Sequence, residues 1–393
     1  MAQETIQSSN LDPKEEFFEN DRTDLEQEEI GEAPGGAKPW DPAKIRISTK
    51  PFSLRQVVDM INDGDIDLAP DFQRLFVWKS VQRSRLIESI LLGIPLPAFY
   101  FNQDPEGAMQ VVDGVQRLTT IHKFVKGEPL SNLEYLKQWE GHRFAQLDMA
   151  SRRRFQQTQI FVNVIEPQTP DDVKFDVFRR INTGGSPLTA QEIRHCMSRR
   201  PSRDLLKKLI CMPSFHRATD GAFANERRMA DREVVLRFCA FRSLPTLEDY
   251  KQVASLDSFL LDFTRRVDRA PASRPALTDA EIDVLISDFD RAMFNAALVF
   301  GNKAFRKHRM GAERRGPINR ALFESWAVAL ADYQPDDLAA KKNQIVDEAR
   351  QRMSDYDYNS SITQGTGDIS TIRLRFEVSR EILQRATSPI NDR

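Results

Sequence analysis

The chain has 393 residues, of which 40% are hydrophobic and 29% are charged, and its formal net charge is −2. This length and composition predict a globular protein with room for two ordinary domains. Because no run of about eighteen apolar residues occurs, and because the N-terminal residues are polar, the sequence predicts neither a membrane-spanning helix nor a signal peptide. We therefore expect a cytoplasmic protein without membrane contacts.

The first forty residues are strongly acidic. Residues 1–40 hold eleven acidic and three basic residues, so the rest of the chain is mildly basic. Such a segment buries too little apolar surface to offset the entropy lost on ordering, and we expect residues 1–40 to be a disordered tail. The tail could mimic nucleic acid and screen a basic face, although a purely solubilising role is favoured.

Between residues 41 and 200 the sequence predicts short helices and short strands. Two helices begin with capping boxes, formed by Ser53 with Gln56 and by Thr189 with Glu192, and Gly64 can end the first of them. Further helices are predicted after Ser80, Gly114 and Thr169. The predicted strands are 98–101, 110–112 and 160–165.

The strand at 110–112 leads into the stretch that is most informative about chemistry, which contains Asp113, Gly114, Gln116 and Arg117. Free amides and the positive end of the helix dipole favour an anion at such a strand-to-helix junction. Gly114 lets a ligand approach the backbone, Arg117 offers a planar guanidinium to phosphate oxygens, and Asp113 could hold a divalent metal. An Asp N-cap with a surface Arg–acid pair explains the same residues equally well.

After residue 200 the strand patterns stop and apolar residues recur at helical spacing. The predicted helices are 233–242, 257–267, 279–300, 320–332, 337–353 and 372–386, and a capping box of Thr278 with Glu281 begins the third of these. The predicted fold class is therefore α+β, with an α+β domain over residues 41–200 and an all-helical domain over residues 201–393. The cysteines Cys196, Cys211 and Cys239 are odd in number and form no C-x-x-C pair, so we expect neither a disulfide nor a zinc site.

Several motifs resemble, in order and spacing, those of the N-terminal domain of GmrSD-type restriction endonucleases. The resemblance covers about residues 50–200, and residues 231–238 are similar to the helical extension of stand-alone members. The matching residues are Gln73, Arg74 and Trp78, residues 86–91, 93–95, 97 and 113–120, residues 178–185, and Leu188, Thr189 and Glu192.

The resemblance implies a ParB/sulfiredoxin-like fold, in which a small mixed sheet is flanked by helices. It also implies a nucleotide site with Mg²⁺ held by Asp113. The implied catalytic residues are Asp113, Gln116 and Arg117, and the implied phosphate-binding residues are Gln73, Arg74, Gly114, Arg117 and Asn182. Asn182 or Gly184 can instead form a helix C-cap in the left-handed conformation.

The family signature reads Asp-Gly-Gln-Gln-Arg, and Val115 stands in place of its first Gln. A valine side chain donates no hydrogen bond. If that Gln orients water or a phosphate, the change affects hydrolysis, whereas binding through Arg117 and the backbone would survive.

Two further patterns concern the cleavage and the binding of DNA. Cutting in the restriction systems usually resides in a His-Asn-His-type domain, fused or on a partner, and the histidines after residue 200 form no such cluster. Basic clusters at residues 152–154, 179–180, 199–200, 227–228 and 303–309 can form a phosphate-tracking face, although a solvated helix surface explains each one alone.

The first functional hypothesis is therefore an enzyme, an NTP-hydrolysing component of a bacterial restriction or anti-phage system. Its expected partners are a nucleoside triphosphate, DNA with or without a modification, a separate nuclease and a second copy of the chain. The second hypothesis is a nucleotide- or DNA-sensing regulator without turnover, which agrees with Val115. A phosphotransferase is the third.

Overall fold

The structure is a computed structural model of the chain. It describes residues 13–18, 21–30, 41–68, 78–181, 188–224, 226, 228–252, 255–312 and 314–387. The chain divides into a smaller unit, Pro39–Met197, and a larger unit made of Met1–Lys38 together with Ser198–Arg393. In the described part of the chain, no helix is long and apolar enough to cross a membrane.

The helices and strands are numbered here in chain order. The strands are β1 (Glu15–Phe18), β2 (Asp21–Glu26), β3 (Ile47–Ser53), β4 (Ile66–Asp67), β5 (Phe99–Gln103), β6 (Met109–Asp113) and β7 (Gln159–Ile165). The helices of the smaller unit are α1 (Leu54–Asp63), α2 (Ser80–Leu91), α3 (Val115–Val125), α4 (Met149–Gln157), α5 (Asp171–Ile181) and α6 (Ala190–Met197). Those of the larger unit are α7 (Arg200–Ile210), α8 (Pro213–Thr219), α9 (Ala230–Arg242), α10 (Leu256–Val267), α11 (Asp279–Phe300), α12 (Arg320–Leu330), α13 (Pro335–Ala339), α14 (Lys342–Ser354), α15 (Tyr356–Ser361) and α16 (Ile369–Thr387).

The smaller unit is built on a mixed sheet with the strand order β3–β7–β5–β6–β4. The pairs β3–β7 and β5–β6 are antiparallel, whereas β5–β7 and β4–β6 are parallel. Flanking helices and the all-helical region that follows confirm the predicted α+β fold class.

One face of this sheet is apolar because alternate residues of the strands point to the same side. Its buried residues pack with those of α1, α2 and α3 into a single core. Members of this core are Phe99, Phe101, Val111, Ile160, Val162, Leu54, Val57, Ile87, Ile90, Leu118 and Ile121. Each fully buried aliphatic or aromatic side chain stabilises the fold by about 1.5–3 kcal/mol relative to its exposed state.

Capping explains why the first helix lies where the sequence predicts it. The Ser53 hydroxyl accepts a hydrogen bond from the Gln56 amide at 3.2 Å, and Gly64 ends the helix with φ +86°. The strand before this helix, β3, was not predicted. Its residues are mostly exposed and include Pro51, so they lack the apolar alternation by which a strand is recognised.

The larger unit is a helical assembly around its own core, which contains residues of α9, α11, α12 and α16. The predicted capping box of α11 is confirmed, since Thr278 Oγ1 accepts from the Glu281 amide and the Thr278 amide donates to the Glu281 carboxylate. Helices α7 and α8 were not predicted. The segment predicted as one helix over 337–353 is divided between α13 and α14.

The expectation of a disordered tail over residues 1–40 is wrong for the part that the structure describes. Residues 15–18 and 21–26 form the antiparallel strand pair β1–β2. Leu25 is 1% exposed and belongs to the core of the larger unit. The backbone around it pairs with Ile318, because the Glu26 amide donates to the Ile318 carbonyl and the Ile318 amide donates to the Asp24 carbonyl, both at 2.8 Å.

The acidic side chains of this segment are paired with basic side chains of the helices. Arg306 binds Asp24 through both terminal nitrogens at 2.7 and 2.8 Å. The Lys307 ammonium lies 2.6 Å from Glu26 Oε1, and Arg320 binds Glu16 at 2.8 Å. The side chains of Arg306 and Lys307 are each 1% exposed, so the acidic residues neutralise buried cations.

Glu28 and Arg237 form the innermost contact of the acidic segment. The two terminal nitrogens of Arg237 donate to the two carboxylate oxygens of Glu28 at 2.7 and 2.5 Å. Burial alone would raise the pKa of Glu28, but the Arg237 guanidinium outweighs it and holds that pKa below its ordinary value. The prediction of disorder rested on the net charge of the segment alone. It failed because the matching cations lie on distant helices, and a sequence does not show that they are buried.

Candidate functional site

The predicted strand-to-helix junction lies between β6 and α3. Phe101 on β5 aligns with Val111, and Tyr100 aligns with Asp113, so the register shifts by one residue between the two pairs. Val112 is thus the extra residue of a β-bulge, a feature that redirects the side chains at the end of a strand. Gly114 follows with φ +100° and is the N-cap of α3.

The glycine at position 114 is required by packing within the unit. A Cβ atom there would lie 2.2 Å from Cδ1 of Phe99, and positive φ further disfavours any L side chain. The expectation that Gly114 makes room for a ligand therefore has an intramolecular alternative, since the Phe99 ring occupies that space.

Arg117 is held by several groups of the smaller unit. Its Nη1 donates to the Pro97 carbonyl at 2.5 Å, and its Nη2 donates to the Ala98 carbonyl at 3.2 Å and to Asp113 Oδ2 at 2.7 Å. The guanidinium carbon lies 4.1 Å from the centre of the Phe99 ring, which adds a cation–π contact. The side chain is 12% exposed, and burial lowers the pKa of Arg117 against the opposing effect of Asp113.

This arrangement agrees with the structural alternative of an Arg–acid pair, except that Gly114 and not Asp113 caps the helix. It leaves part of the guanidinium for other groups, because Nε–H and one Nη1 hydrogen are not used in these bonds. The bonds that are used, to Pro97, Ala98 and Asp113, fix the loop before β5 to the start of α3.

Gln116 differs from its neighbours in having an unsatisfied polar atom. Its Oε1 is buried and accepts no hydrogen bond among the described residues. A buried acceptor without a donor costs about 1–3 kcal/mol, so such atoms usually mark a water, an ion or a ligand. The first intrahelical amide bond of α3 is donated by Leu118, which leaves the amides of residues 115–117 directed outward from the helix N-terminus.

Val115, the departure from the family signature, packs against the hydrophobic core of the smaller unit. Its side chain is partly buried and takes part in this packing. Replacing a glutamine by valine at this position is therefore a packing substitution. The regulator hypothesis loses the support that it drew from Val115.

Polar residues that the sequence analysis did not single out line up beside the junction. Tyr100 aligns with Asp113 on one side and with Asn163 of β7 on the other. Asn163 Oδ1 accepts from the Thr49 hydroxyl at 2.7 Å, so the row continues to β3. Asn102, two residues beyond Tyr100, is 8% exposed and its Oδ1 has no donor in the described part of the chain. Asparagines inside otherwise apolar strands were the available signal, since a buried amide requires a partner.

The metal site assigned to Asp113 rests on a single carboxylate. Among the described residues, no group of three or more His, Cys, Asp or Glu side chains could hold a metal ion. Mg²⁺ is commonly held by one or two carboxylates together with substrate phosphates. Asp113 Oδ2 is bonded to Arg117, so Oδ1 is the atom that fits such a role.

The remaining predicted site residues cannot be placed. Gln73 and Arg74 lie in residues 69–77, and Asn182 lies in residues 182–187, both outside the described residues. The structure therefore brings together Asp113, Gly114, Gln116 and Arg117 alone among the predicted set.

Comparison with known proteins agrees with the resemblance seen in the motifs. Residues 54–197 match the model of the family described as "GmrSD restriction endonuclease, N-terminal domain". No curated protein sequence matches the chain significantly. The matched segment contains the sheet strands β4–β7 and the junction at Asp113–Arg117, and it ends at the boundary of the smaller unit. Residues 54–197 are thus similar to the N-terminal domain of GmrSD restriction endonucleases.

Proposed function

We propose that the chain is a nucleoside-triphosphate-binding component of a bacterial restriction or anti-phage defence system that acts with DNA. The family of residues 54–197 supports the link to restriction. The observation that carries the nucleotide site is the buried Oε1 of Gln116 without a donor, next to the outward amides of α3.

Each group at the junction has a defined part in this proposal. The first-turn amides of α3 and the positive end of its dipole receive phosphate oxygens. Gln116 Oε1 accepts a hydrogen bond from a ribose hydroxyl or from the water that attacks the terminal phosphate. Asp113 Oδ1 would hold Mg²⁺, which would supply positive charge to the phosphates. Gln73, Arg74 and Asn182, which lie outside the described residues, are the further phosphate-binding residues that the family resemblance implies.

Arg117 has two roles, one in positioning the junction and one in binding phosphate. It positions the junction through the carbonyls of Pro97 and Ala98. Its unused Nε–H and Nη1–H face phosphate oxygens without breaking those bonds, because a guanidinium has five N–H donors. A phosphate contact of this kind leaves the Asp113–Arg117 pair intact.

Isothermal titration with ATP and with GTP in Mg²⁺ buffer tests the site. The comparison is between the wild type, Gln116→Ala, and Gln56→Ala, in which an exposed glutamine of α1 is removed as the matched control. We expect affinity to fall about tenfold in Gln116→Ala, corresponding to one hydrogen bond in a desolvated site. Equal affinity in all three proteins, or no binding of either nucleotide, contradicts the proposal.

A measurement of phosphate release distinguishes the hypothesis of an NTP-hydrolysing enzyme from that of a sensor without turnover. The wild type is assayed with and without duplex DNA, and release that depends on Asp113 identifies an NTPase. We also expect the chain alone not to cleave plain duplex DNA, since its helical region has no cluster of nuclease histidines. Mg²⁺-dependent cutting that is abolished by Asp113→Ala would instead locate a nuclease in the smaller unit.

A further inference from the structure

A pocket lies in the larger unit, where the end of α11 and the turn after it face α14. Its volume is about 390 Å³, within the range of small-molecule sites. The lining combines apolar residues from α11 and α14 with basic residues from both sides. This is the region of the basic cluster 303–309, which the sequence predicted only as one part of a phosphate-tracking face.

The pocket has an apolar floor and a basic rim. Phe300, Val346 and Met353 contribute to the floor, and the Phe300 ring is fixed edge-on against Trp326 with centroids 4.9 Å apart. Lys303, Lys342 and Arg350 are the basic residues of the rim that form no ion pair among the described residues. An apolar surface beside unpaired cations suits a ligand with a flat apolar part and an anionic part.

Lys303 and Arg350 both lie near the ring of His308. Lys303 Nζ lies 2.7 Å from Nε2 of His308, and Arg350 is near enough to disfavour a charge on the same ring. Burial, Lys303 and Arg350 together lower the pKa of His308, whose Nε2 also lies 3.1 Å from the Ala312 carbonyl oxygen. Nε of Arg350 is buried and has no acceptor in the described part of the chain. An anion bound at Arg350 would accept from this donor.

The neighbouring Arg306 is a cation of the same lining that is paired with a carboxylate, although its Nε also has no acceptor among the described residues. Its terminal nitrogens are bonded to both carboxylate oxygens of Asp24. Lys303 and Arg350 have no such carboxylate, and the acidic residue of the lining is Asp347, which is exposed. A bound anion would supply the negative charge that the described lining residues do not place on Lys303 and Arg350.

We propose that this pocket binds a free nucleoside phosphate, with its phosphate on Lys303 and Arg350 and its base on the floor formed by Phe300, Val346 and Met353. The volume matches a mononucleotide, whereas an inorganic anion would leave the apolar floor uncovered. The pocket belongs to the larger unit, so this proposal stands independently of the site at Gln116.

The test is isothermal titration of the full-length chain with the four ribonucleoside 5′-monophosphates, with inorganic phosphate and with the unphosphorylated nucleosides. Arg350→Ala is compared with Arg352→Ala, a neighbouring arginine of α14 that is outside the lining and pairs with Asp355 and Glu381. We expect at least one monophosphate to bind, and its affinity to fall about tenfold or more in Arg350→Ala but not in Arg352→Ala. Inorganic phosphate and the nucleoside should each bind more weakly than the nucleotide.

Three results would overturn the proposal. One is that none of the monophosphates binds, and another is that both arginine variants bind like the wild type. The third is that a 5′-phosphorylated single-stranded oligonucleotide binds through Arg350 more tightly than any mononucleotide, which would assign the pocket to a strand end. Arg350 and its control Arg352 both lie in the larger unit, outside the junction at Asp113–Arg117, so failure here is separate from failure of the site on α3.

Discussion

The two units use arginine in different ways. In the larger unit, Arg237 is 1% exposed and is surrounded by the carboxylates of Glu28, Glu233 and Glu324. In the smaller unit, Arg117 is 12% exposed and is shared between one carboxylate, two carbonyls and the Phe99 ring. The first arrangement neutralises a buried charge within the fold, whereas the second leaves N–H groups at a surface.

This difference teaches that a basic residue in a motif has to be judged by its partners. Arg237 is buried among carboxylates that compensate its desolvation, so its role is structural. Arg117 serves the fold through part of its guanidinium and can serve a ligand through the rest. The tests below probe this contrast from the largest expected effect to the smallest.

Glu28→Ala should have the largest effect. It removes one carboxylate from a buried guanidinium, and breaking a buried ion pair by losing one partner costs about 3 kcal/mol or more. Chemical denaturation should show this loss in the transition of the larger unit. Glu29→Ala is the matched control, because the adjacent side chain is exposed. If both variants lose the same stability, the acidic segment does not contribute through this pair.

The same pair predicts a dependence on pH. Arg237 holds the pKa of Glu28 below its ordinary value, which is about 4.3 in an unfolded chain. The stabilisation is therefore fully present above that value and is lost as pH falls through the lower folded pKa. The difference in unfolding free energy between wild type and Glu28→Gln should be constant at neutral pH and shrink in acid. A difference that grows below pH 4 would contradict the assigned direction.

Arg117→Ala should have an intermediate effect on stability. The change removes hydrogen bonds to Pro97, Ala98 and Asp113, and bonds to charged groups contribute about 1.5–3 kcal/mol. Arg55→Ala is the control, because Arg55 forms an i,i+4 pair with Asp59 that is 3.9 Å long and well exposed. Thermal unfolding of the smaller unit should shift for Arg117→Ala and hardly at all for Arg55→Ala. Equal shifts would mean that Arg117 does not clamp the junction.

Val115→Gln should have the smallest effect. Because Val115 packs against the core, restoring the family's glutamine places an amide where a valine is packed and adds no group to the nucleotide site. We expect steady-state phosphate release no faster than that of the wild type, with an unchanged binding isotherm. A clear rise in turnover at constant affinity would show that position 115 faces the phosphates and would revive the regulator hypothesis.

Local patterns in the sequence predicted much of the fold. The capping residues Ser53, Gly64 and Thr278 and the apolar density of β7 each depend on neighbours within a few residues, and all are confirmed. The strand pair β1–β2 was missed because its stabilising partners, such as Arg306 and Arg320, lie hundreds of residues away along the chain. A short strand such as β4 is defined by its pairing with β6, which no local pattern reveals.

Local patterns in the sequence predicted only part of the candidate site. The motif correctly placed Asp113, Gly114, Gln116 and Arg117 at one junction of β6 and α3. It could not show that Phe99 fills the space in front of Gly114, nor that Val115 faces the core. These facts depend on the bulge at Val112 and on the packing of β5, which are properties of the folded sheet.

The larger unit is discontinuous in sequence, because the smaller unit is inserted between its strand pair β1–β2 and its helices. A ribosome therefore releases these two strands first, and they have to wait through the synthesis of the whole insert before Arg237, Arg306 and Arg320 emerge. During that interval the strands have no core to join. A high density of like charge keeps such a segment soluble and apart from other nascent chains. The acidic N-terminal residues thus have two roles. During synthesis their like charges oppose association with other chains, and in the folded state they pair with buried cations.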